Sequence, residues 1–344
     1  MDNQPFVSVI IPCRNEEKFI GKCLDSIIEQ DFPKGNLEIL VVDGMSNDDT
    51  RRIVKKYAIN NSFIRLLNNP KKITPCALNL GIKNAKGEII IRMDAHTTYQ
   101  KDYISKCIKY LEEYKVDNVG GIWRTLPGED TLTAKSIAIA LSHPFGVGNS
   151  YFRVGLKDAR YVDTVPFGCY KKEIFDKIGY FNENLIRNQD IEFNARLRNV
   201  GGKILIVPDI ISYYHARPTF KELARNNFWN GFWVIYSMKF TDYPSFSIRH
   251  LVPAIFVSSV LLSLFASLWL GPVFYLFLFS IGSYVFLNLF FSFKLSLQKG
   301  LKHMIPLSLA FSTLHFFYGL GSIMSMFKLF VTMFYKKNPR CLRW

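Results

Sequence analysis

Three stretches near the C-terminus limit what this chain can fold into. Leu251–Leu270 and Val273–Phe293 carry no charged residue, and Met304–Phe327 carries only His315. Each reaches the roughly 20 apolar residues that a helix needs to cross a bilayer core. Helices buried in a soluble core are the alternative, but a water-facing domain needs polar faces that these stretches lack. Gly271-Pro272 reads as a tight turn joining the first two into a hairpin. Its far end, Lys294–His303, is basic and so is expected on the cytoplasmic side, in agreement with Arg249 and His250. A full third crossing would carry Lys336, Lys337, Arg340 and Arg343 outside, against that tendency. A bent or re-entrant course around Gly319 and Gly321 would resolve the conflict, so two and three crossings both stay open. Just upstream, Thr219–Phe240 places Phe220, Leu223, Ala224, Phe228 and Phe232 at helical spacing beside Lys221 and Arg225. It reads as an amphipathic helix lying in the membrane interface, with a plain core helix as the alternative. The expected organisation is a domain over residues 1–218, an interfacial helix over 219–245, and a membrane region with a basic tail over 246–344.

With 43 Lys+Arg against 28 Asp+Glu, the net charge of +15 suits anionic headgroups and phosphorylated ligands. Nucleic acid is disfavoured, because no basic-aromatic recognition motif accompanies the charge. Hydrophobic residues make up 49% of the chain, which excludes a disordered protein. The cysteines at 13, 23, 76, 107, 169 and 341 form no Cys-x-x-Cys pair, so reduced thiols are expected rather than a disulfide framework or a zinc site. The opening segment has an acid at Asp2, no basic region, and a short apolar run ending at Pro12. It does not read as a signal peptide, and the first domain is expected in the cytoplasm.

That domain alternates strand and helix. Val7–Pro12 is a short apolar run; the next segment aligns Phe19, Ile20, Cys23, Leu24, Ile27 and Ile28 on one helical face. Leu37–Asp43 is a second strand and Asp48–Ile59 a second helix, with Ser46 and Asp48 as candidate caps. Phe63–Leu67 is a third strand, Thr74-Pro75 opens a helix ending before Gly87, and a fourth strand leads into Met93-Asp-Ala-His96. The segments Lys203–Pro208 and Ile210–Tyr214 read as a later pair of strands. Such alternation implies parallel pairing and an α/β sandwich, whose ligands sit beyond the carboxyl ends of the strands. Asp43 and Asp94 fall there. No Gly-x-Gly-x-x-Gly and no Gly-Lys-Ser/Thr loop is present, so dinucleotide-binding and P-loop folds are disfavoured.

The segments Val7–Glu17, Val41–Thr50, Ala77–Ile82, Met93–His96 and Asn188–Asn194 stand in the order of the family 2 glycosyltransferases. The chain resembles that family over about its first 240 residues, most of all the membrane-attached branch that makes succinoglycan. The resemblance implies a GT-A fold, a three-layer α/β/α sandwich, here followed by the transmembrane helical region. It also implies inverting transfer from a nucleotide sugar. Asp43 matches the acid that hydrogen-bonds the nucleotide base, with helix capping as its alternative. Pro12, Arg14, Asn15 and Glu16 lie near the nucleotide. Asp94 matches the first acid of an Asp-x-Asp element that holds the ribose and, through Mn²⁺ or Mg²⁺, the diphosphate. The third position is His96 instead of Asp; imidazole suits Mn²⁺ better than Mg²⁺, and a solvated loop histidine is the other reading. His215 is a further candidate for the metal or diphosphate, or else a core histidine. Asp190 matches the general base, with helix capping as its alternative. Gln189 replaces the family's preceding Glu. Gly168, Lys171 and Gln189 are expected on the acceptor side, and Asn79 matches a family asparagine whose role the sequence leaves undefined.

The expected activity moves one sugar from a UDP- or GDP-linked donor to a hydroxyl of a lipid-linked saccharide. The enzyme is expected as a multi-pass protein of the inner (plasma) membrane, working at the cytoplasmic face in exopolysaccharide or cell-surface glycan synthesis. The Gln-x-x-Arg-Trp element of processive synthases is replaced by Asn226–Trp233, NNFWNGFW, which favours single addition. A polyprenyl-phosphate monosaccharide synthase, and a membrane scaffold that binds nucleotide sugar without turnover, remain alternatives.

Overall fold

The computed structural model describes residues 4–337 except Asp242 and Pro244; Asp2, Arg340, Cys341 and Arg343 lie outside them. In chain order the elements are β1 (Val7–Cys13), α1 (Ile20–Ile28), β2 (Leu37–Asp43), α2 (Thr50–Asn60), β3 (Ile64–Asn68), α3 (Thr74–Asn84), β4 (Ile89–Arg92), β5 (Thr97–Tyr99), α4 (Tyr103–Glu113), β6 (Asn118–Pro127) and α5 (Leu132–Leu141). There follow α6 (Pro144–Val147), α7 (Tyr151–Val154), β7 (Arg160–Tyr161), β8 (Cys169–Lys171), α8 (Glu173–Ile178), α9 (Gln189–Asn199), β9 (Ile204–Ala216), α10 (Phe220–Tyr236), α11 (Val252–Ala266), α12 (Val273–Lys299) and α13 (Met304–Lys337). The chain forms two compact units, Met1–Arg124 with Tyr151–His215, and Thr125–Ser150 with Ala216–Trp344.

In the first unit the sheet order is β3-β2-β1-β4-β8-β6-β9-β5, with β7 on β9. The expected parallel pairing holds for β3, β2, β1 and β4. Beyond β4 the sheet turns antiparallel at β8 and β6, and β5 and β7 pair antiparallel with β9. Side chains alternate across it. Val7, Val9, Ile11, Ile39 and Val41 meet α1, α2 and α4 on one face, whereas Ile10, Leu40 and Val42 meet α3, α8 and α9 on the other. Helices on both faces make the sandwich three-layered. Two local readings change. The later strand pair is one continuous strand, β9, because Pro208 sits where pairing passes from β7, opposite Leu205 and Ile206, to β5, opposite Ser212–Tyr214. Ser46 does not cap α2, since its hydroxyl serves the loops described below. Among the described residues the five cysteines are free and buried.

In the second unit three helices, Ile248–Ala266, Val273–Lys299 and Leu301–Thr332, are long and apolar enough to cross a membrane. Of the two courses left open for the third stretch, the structure shows a helix, α13, that continues through Gly319 and Gly321 without a break. These glycines instead let backbones approach. A Cβ on Gly319 would lie 2.5 Å from the Pro253 carbonyl oxygen on α11. One on Gly321 would lie 2.0 Å from that of Phe228 on α10, and one on Gly231 of α10 would lie 2.1 Å from that of Tyr318. Residues 125–150, read from sequence as part of the first domain, pack with this unit. Ser136 of α5 bonds His303 at 2.8 Å, and the Phe145 ring lies among Phe291, Phe311 and His315. His315 spends both ring nitrogens there, on the Phe145 carbonyl (2.7 Å) and the Tyr284 hydroxyl (3.0 Å).

Strands β6 and β9 meet at Gly121, where a Cβ would fall 1.8 Å from the Ile210 carbonyl oxygen. Gly121→Ala is therefore expected to cost about 3 kcal/mol, the upper range for an overpacked core. Urea unfolding in detergent measures it against Gly35→Ala, whose added methyl meets nothing within 4 Å.

Candidate active site

The parallel strands β1 and β4 are neighbours although β2 and β3 intervene in sequence, so the strand order reverses between them. A crevice forms where successive connections leave to opposite faces, and ligands of open α/β sheets bind there. Most of the candidate residues collect at this edge.

The loop after β1 and the loop after β2 are bonded to each other along their length. Asn15, at φ 56°, donates its amide to Ser46 Oγ (2.8 Å) and accepts from the Asn47 amide (3.0 Å). The Glu16 amide donates to Thr50 Oγ1 (2.7 Å) and that of Glu17 to Asp48 Oδ2 (3.2 Å), while Glu17 accepts from the Asp49 amide (3.0 Å). Asp43 lies beneath, fully buried. Its oxygens accept from the Ser46 hydroxyl and amide and from Arg51, which also donates to Asn68. Its carboxylate thus holds the loops, and contact with a base would require Arg51 to swing away. Burial, reinforced by the Asp43 and Glu16 charges, pushes the Cys13 thiol far up, so it is no nucleophile. Pro12 is half-buried and Arg14 is exposed above Gly44.

Asp94 sits two residues beyond β4, its amide bonded to the Tyr99 hydroxyl at 2.7 Å. Its carboxylate faces Arg92, whose Nη2 lies 3.2 and 3.3 Å from the two oxygens. The same guanidinium places Nη1 3.5 Å from Asp190 Oδ2. Sequence reasoning missed Arg92; the signal was a lone cation closing the otherwise apolar strand Ile89–Arg92, two residues before Asp94. Burial alone would lower its pKa, but the two facing carboxylates outweigh that and hold it well above its ordinary value. Asp190 lies in the first turn of α9, behind Asn188 as the cap, and its other oxygen accepts the Ile191 amide at 2.9 Å. It thus combines a helix-terminal bond with a partly exposed oxygen at the crevice.

His96 Nδ1 lies 3.5 Å from Glu16 Oε1, and its ring meets Tyr214 edge-on at 5.6 Å. The register Thr97↔Tyr214 sets His215 beside His96, with its ring 5.7 Å from Phe19. Among the described residues no group of three or more His, Cys, Asp or Glu lies close enough to hold an ion unaided. A hard cation bound mainly through substrate phosphates needs only one or two protein ligands. The partly exposed Asp94 and His96 fit that smaller demand.

The acceptor-side candidates separate. Gly168 is at the crevice end, where its carbonyl accepts the Arg92 amide at 3.1 Å, but it is buried against Tyr170 and Asn118. Gln189 is buried. Lys171 is exposed opposite Ile89, at the far end of β4, about 10 Å along the strand from Gly168. Antiparallel pairing carries it away from the carboxylates. Asn79 now has a structural role. It donates to the Phe181 carbonyl (2.9 Å) and Glu183 (3.1 Å) and accepts the Phe181 amide (2.9 Å), fixing the segment that leads to Asp190.

The family model for glycosyl transferase family 2 matches residues 8–179. The dolichyl N-acetyl-alpha-D-glucosaminyl phosphate 3-beta-D-2,3-diacetamido-2,3-dideoxy-beta-D-glucuronosyltransferase of Methanococcus voltae is 35% identical over 228 residues, spanning 64% of this chain and 70% of that protein. The succinoglycan biosynthesis protein ExoA of Rhizobium meliloti is 28% identical over 226 residues, 65% of this chain and 66% of that one. Among solved structures, a mannosyltransferase of Pyrobaculum calidifontis in complex with GDP-Man and Mn²⁺ superposes with a TM-score of 0.61 at 19% identity. That match covers 95% of this chain and 88% of the other.

Replacing Arg92 should separate charge from shape. Arg92→Met leaves Asp94 and Asp190 facing each other without a cation, and sugar transfer should fall about 100-fold, the cost of a misplaced reacting group. Arg92→Lys keeps the charge but cannot fork across two carboxylates, so steady-state kinetics should show only partial recovery. A second expectation concerns acid. Bonds from Lys71, then Asn79 and Cys76, hold the Glu183 carboxyl down at about 2, below its ordinary 4.5. A depressed carboxyl stabilises above its unfolded value and loses that contribution as pH falls, here between about 4.5 and 2. Hydrogen-exchange protection at residues 181–183, with each rate taken relative to the intrinsic rate at the same pH, should fall over that window in the wild type, and Glu183→Gln should remove the dependence.

Proposed function

Because this chain belongs to glycosyl transferase family 2 and has its GT-A fold, we propose that it transfers one sugar, with inversion, from a nucleotide-diphosphate sugar to a hydroxyl of a lipid-linked saccharide. The observation that carries this reading is the pair of carboxylates, Asp94 and Asp190, held by one guanidinium at the carboxyl edge of the parallel strands. Asp94 and His96, with His215 beside them, would hold a divalent ion, which when bound neutralises charge on the leaving diphosphate. Asp190 accepts the proton of the attacking hydroxyl through its partly exposed oxygen, and Arg92 keeps that oxygen aimed at the crevice. Asp43 shapes the loops that receive the nucleotide, with Arg14, Asn15 and Glu16 at their rim.

The lipid-linked acceptor is supported by the name of the Methanococcus relative and by the three apolar helices, which we read as spanning the cytoplasmic (inner) membrane with the transferase unit on its cytoplasmic side. The donor nucleotide, UDP or GDP, would enter at the switch point between β1 and β4. Helix α10 would lie at the interface, its Leu223, Asn227, Gly231 and Phe232 turned inward and Trp229 exposed.

Asp190→Asn should retain nucleotide binding, read as an unchanged rise in melting temperature on adding UDP or GDP with Mn²⁺. Its kcat for transfer of radiolabelled sugar to extracted lipid should fall by about 10² to 10⁴, the range for removing a general base. Undiminished transfer by this variant would overturn the mechanism.

A further inference from the structure

Beside the carboxylate site, Trp123 of β6 and Tyr214 of β9 stack face to face, 4.4 Å apart and 11° from parallel. The Arg153 guanidinium of α7 lies over them, 4.6 Å from the Trp123 ring centre and 5.5 Å from those of Tyr214 and Phe152. Through Tyr214 this stack touches the His96 ring. Burial lowers the pKa of Arg153, opposed only by the Tyr214 hydroxyl, and among the described residues no carboxylate contributes to holding its charge. Two buried donors here lack any acceptor, Arg153 Nη1 and Trp123 Nε1. A desolvated guanidinium without an anion is costly, and aromatic faces offset only part of that cost. Arg92, also deeply set in this unit, faces two carboxylates, whereas among the described residues none faces Arg153.

We propose that Arg153, set on the Trp123–Tyr214 platform, is a phosphate-binding subsite that completes the crevice beyond His96. Both unpaired groups only donate, so the ligand must present acceptor oxygens, and a fixed planar fork matches a phosphate edge in two-point geometry. The face of the platform covered by the guanidinium is closed to a sugar ring. The phosphate belongs either to the diphosphate of the donor or to the lipid-linked acceptor. Only this choice of source rests on the transferase reading; the unpaired cation does not.

The test is calorimetric titration of the full-length protein in detergent with inorganic pyrophosphate, UDP, GDP and a short-chain prenyl phosphate. Arg153→Gln should weaken pyrophosphate binding about 10- to 100-fold, the scale of a charged hydrogen bond. Arg153→Lys should recover part of it, and Trp123→Phe, which keeps a ring and removes one donor, should weaken it about threefold. Loss confined to UDP or GDP assigns the donor as source; loss confined to the prenyl phosphate assigns the acceptor. Unchanged affinity for all four ligands in folded Arg153→Gln would overturn the subsite and leave the transferase reading intact. If that variant fails to fold, unchanged affinities in both Arg153→Lys and Trp123→Phe overturn it equally. A wild type that binds none of the four also overturns it, while transfer of labelled sugar by that same protein judges the enzyme separately.

Discussion

In the transferase unit two carboxylates share a half-buried crevice with one guanidinium facing both, and the geometry of the unit follows from how that cation is supplied. Arg92 closes β4, Asp94 follows two residues later, and Asp190 arrives almost a hundred residues further on from the start of α9. The three meet only if β4 pairs with β1 in the observed register, if β8 lies alongside so that Gly168 accepts the Arg92 amide, and if α9 is seated on the opposite face from α1. Removing the guanidinium would leave two carboxylates facing each other with no counter-charge, so the set depends on Arg92 more than on either acid. The clamp of Asn79 and Glu183 on residues 181–183 belongs to the same design, because it fixes the approach of the chain to α9.

The fold was legible where periodicity is strong. Short unbroken apolar runs, interleaved with helical faces, gave the parallel strands almost residue for residue, since strands buried on both faces read that way. The antiparallel half was harder. β8 and β5 are too short to carry a pattern, and β9 continues through Pro208, where a proline is tolerated because its strand partner changes. The membrane-type helices were legible from composition alone. Their glycines were not: a backbone that leaves no room for a Cβ beside another helix and a backbone that bends write the same letter.

The site was legible in its acids and obscure in its cations. Asp43, Asp94 and Asp190 stand out as polar residues where strands end or a helix begins. What each touches depends on residues distant in sequence, and there the reading changed. Asp43 turned out to be buried under Arg51, and Lys171 was carried to the wrong end of a strand by an antiparallel pairing that no local pattern announces. Arg92 and Arg153 escaped notice because a single cation in an apolar context is ambiguous until its counter-charge, or the lack of one, can be seen.

The interlocked loops after β1 and β2 bear on how this fold can vary. Their bonds run from backbone amides of one loop to short side chains of the other and back, so each depends on spacing more than on chemistry. An exposed position such as Lys18 makes none of these bonds and is free to change identity. An inserted or deleted residue would put every partner out of step at once. Surface loops usually absorb changes in length more readily than the elements they join. Here the order is inverted, because one residue gained or lost would break every bond that these side chains make.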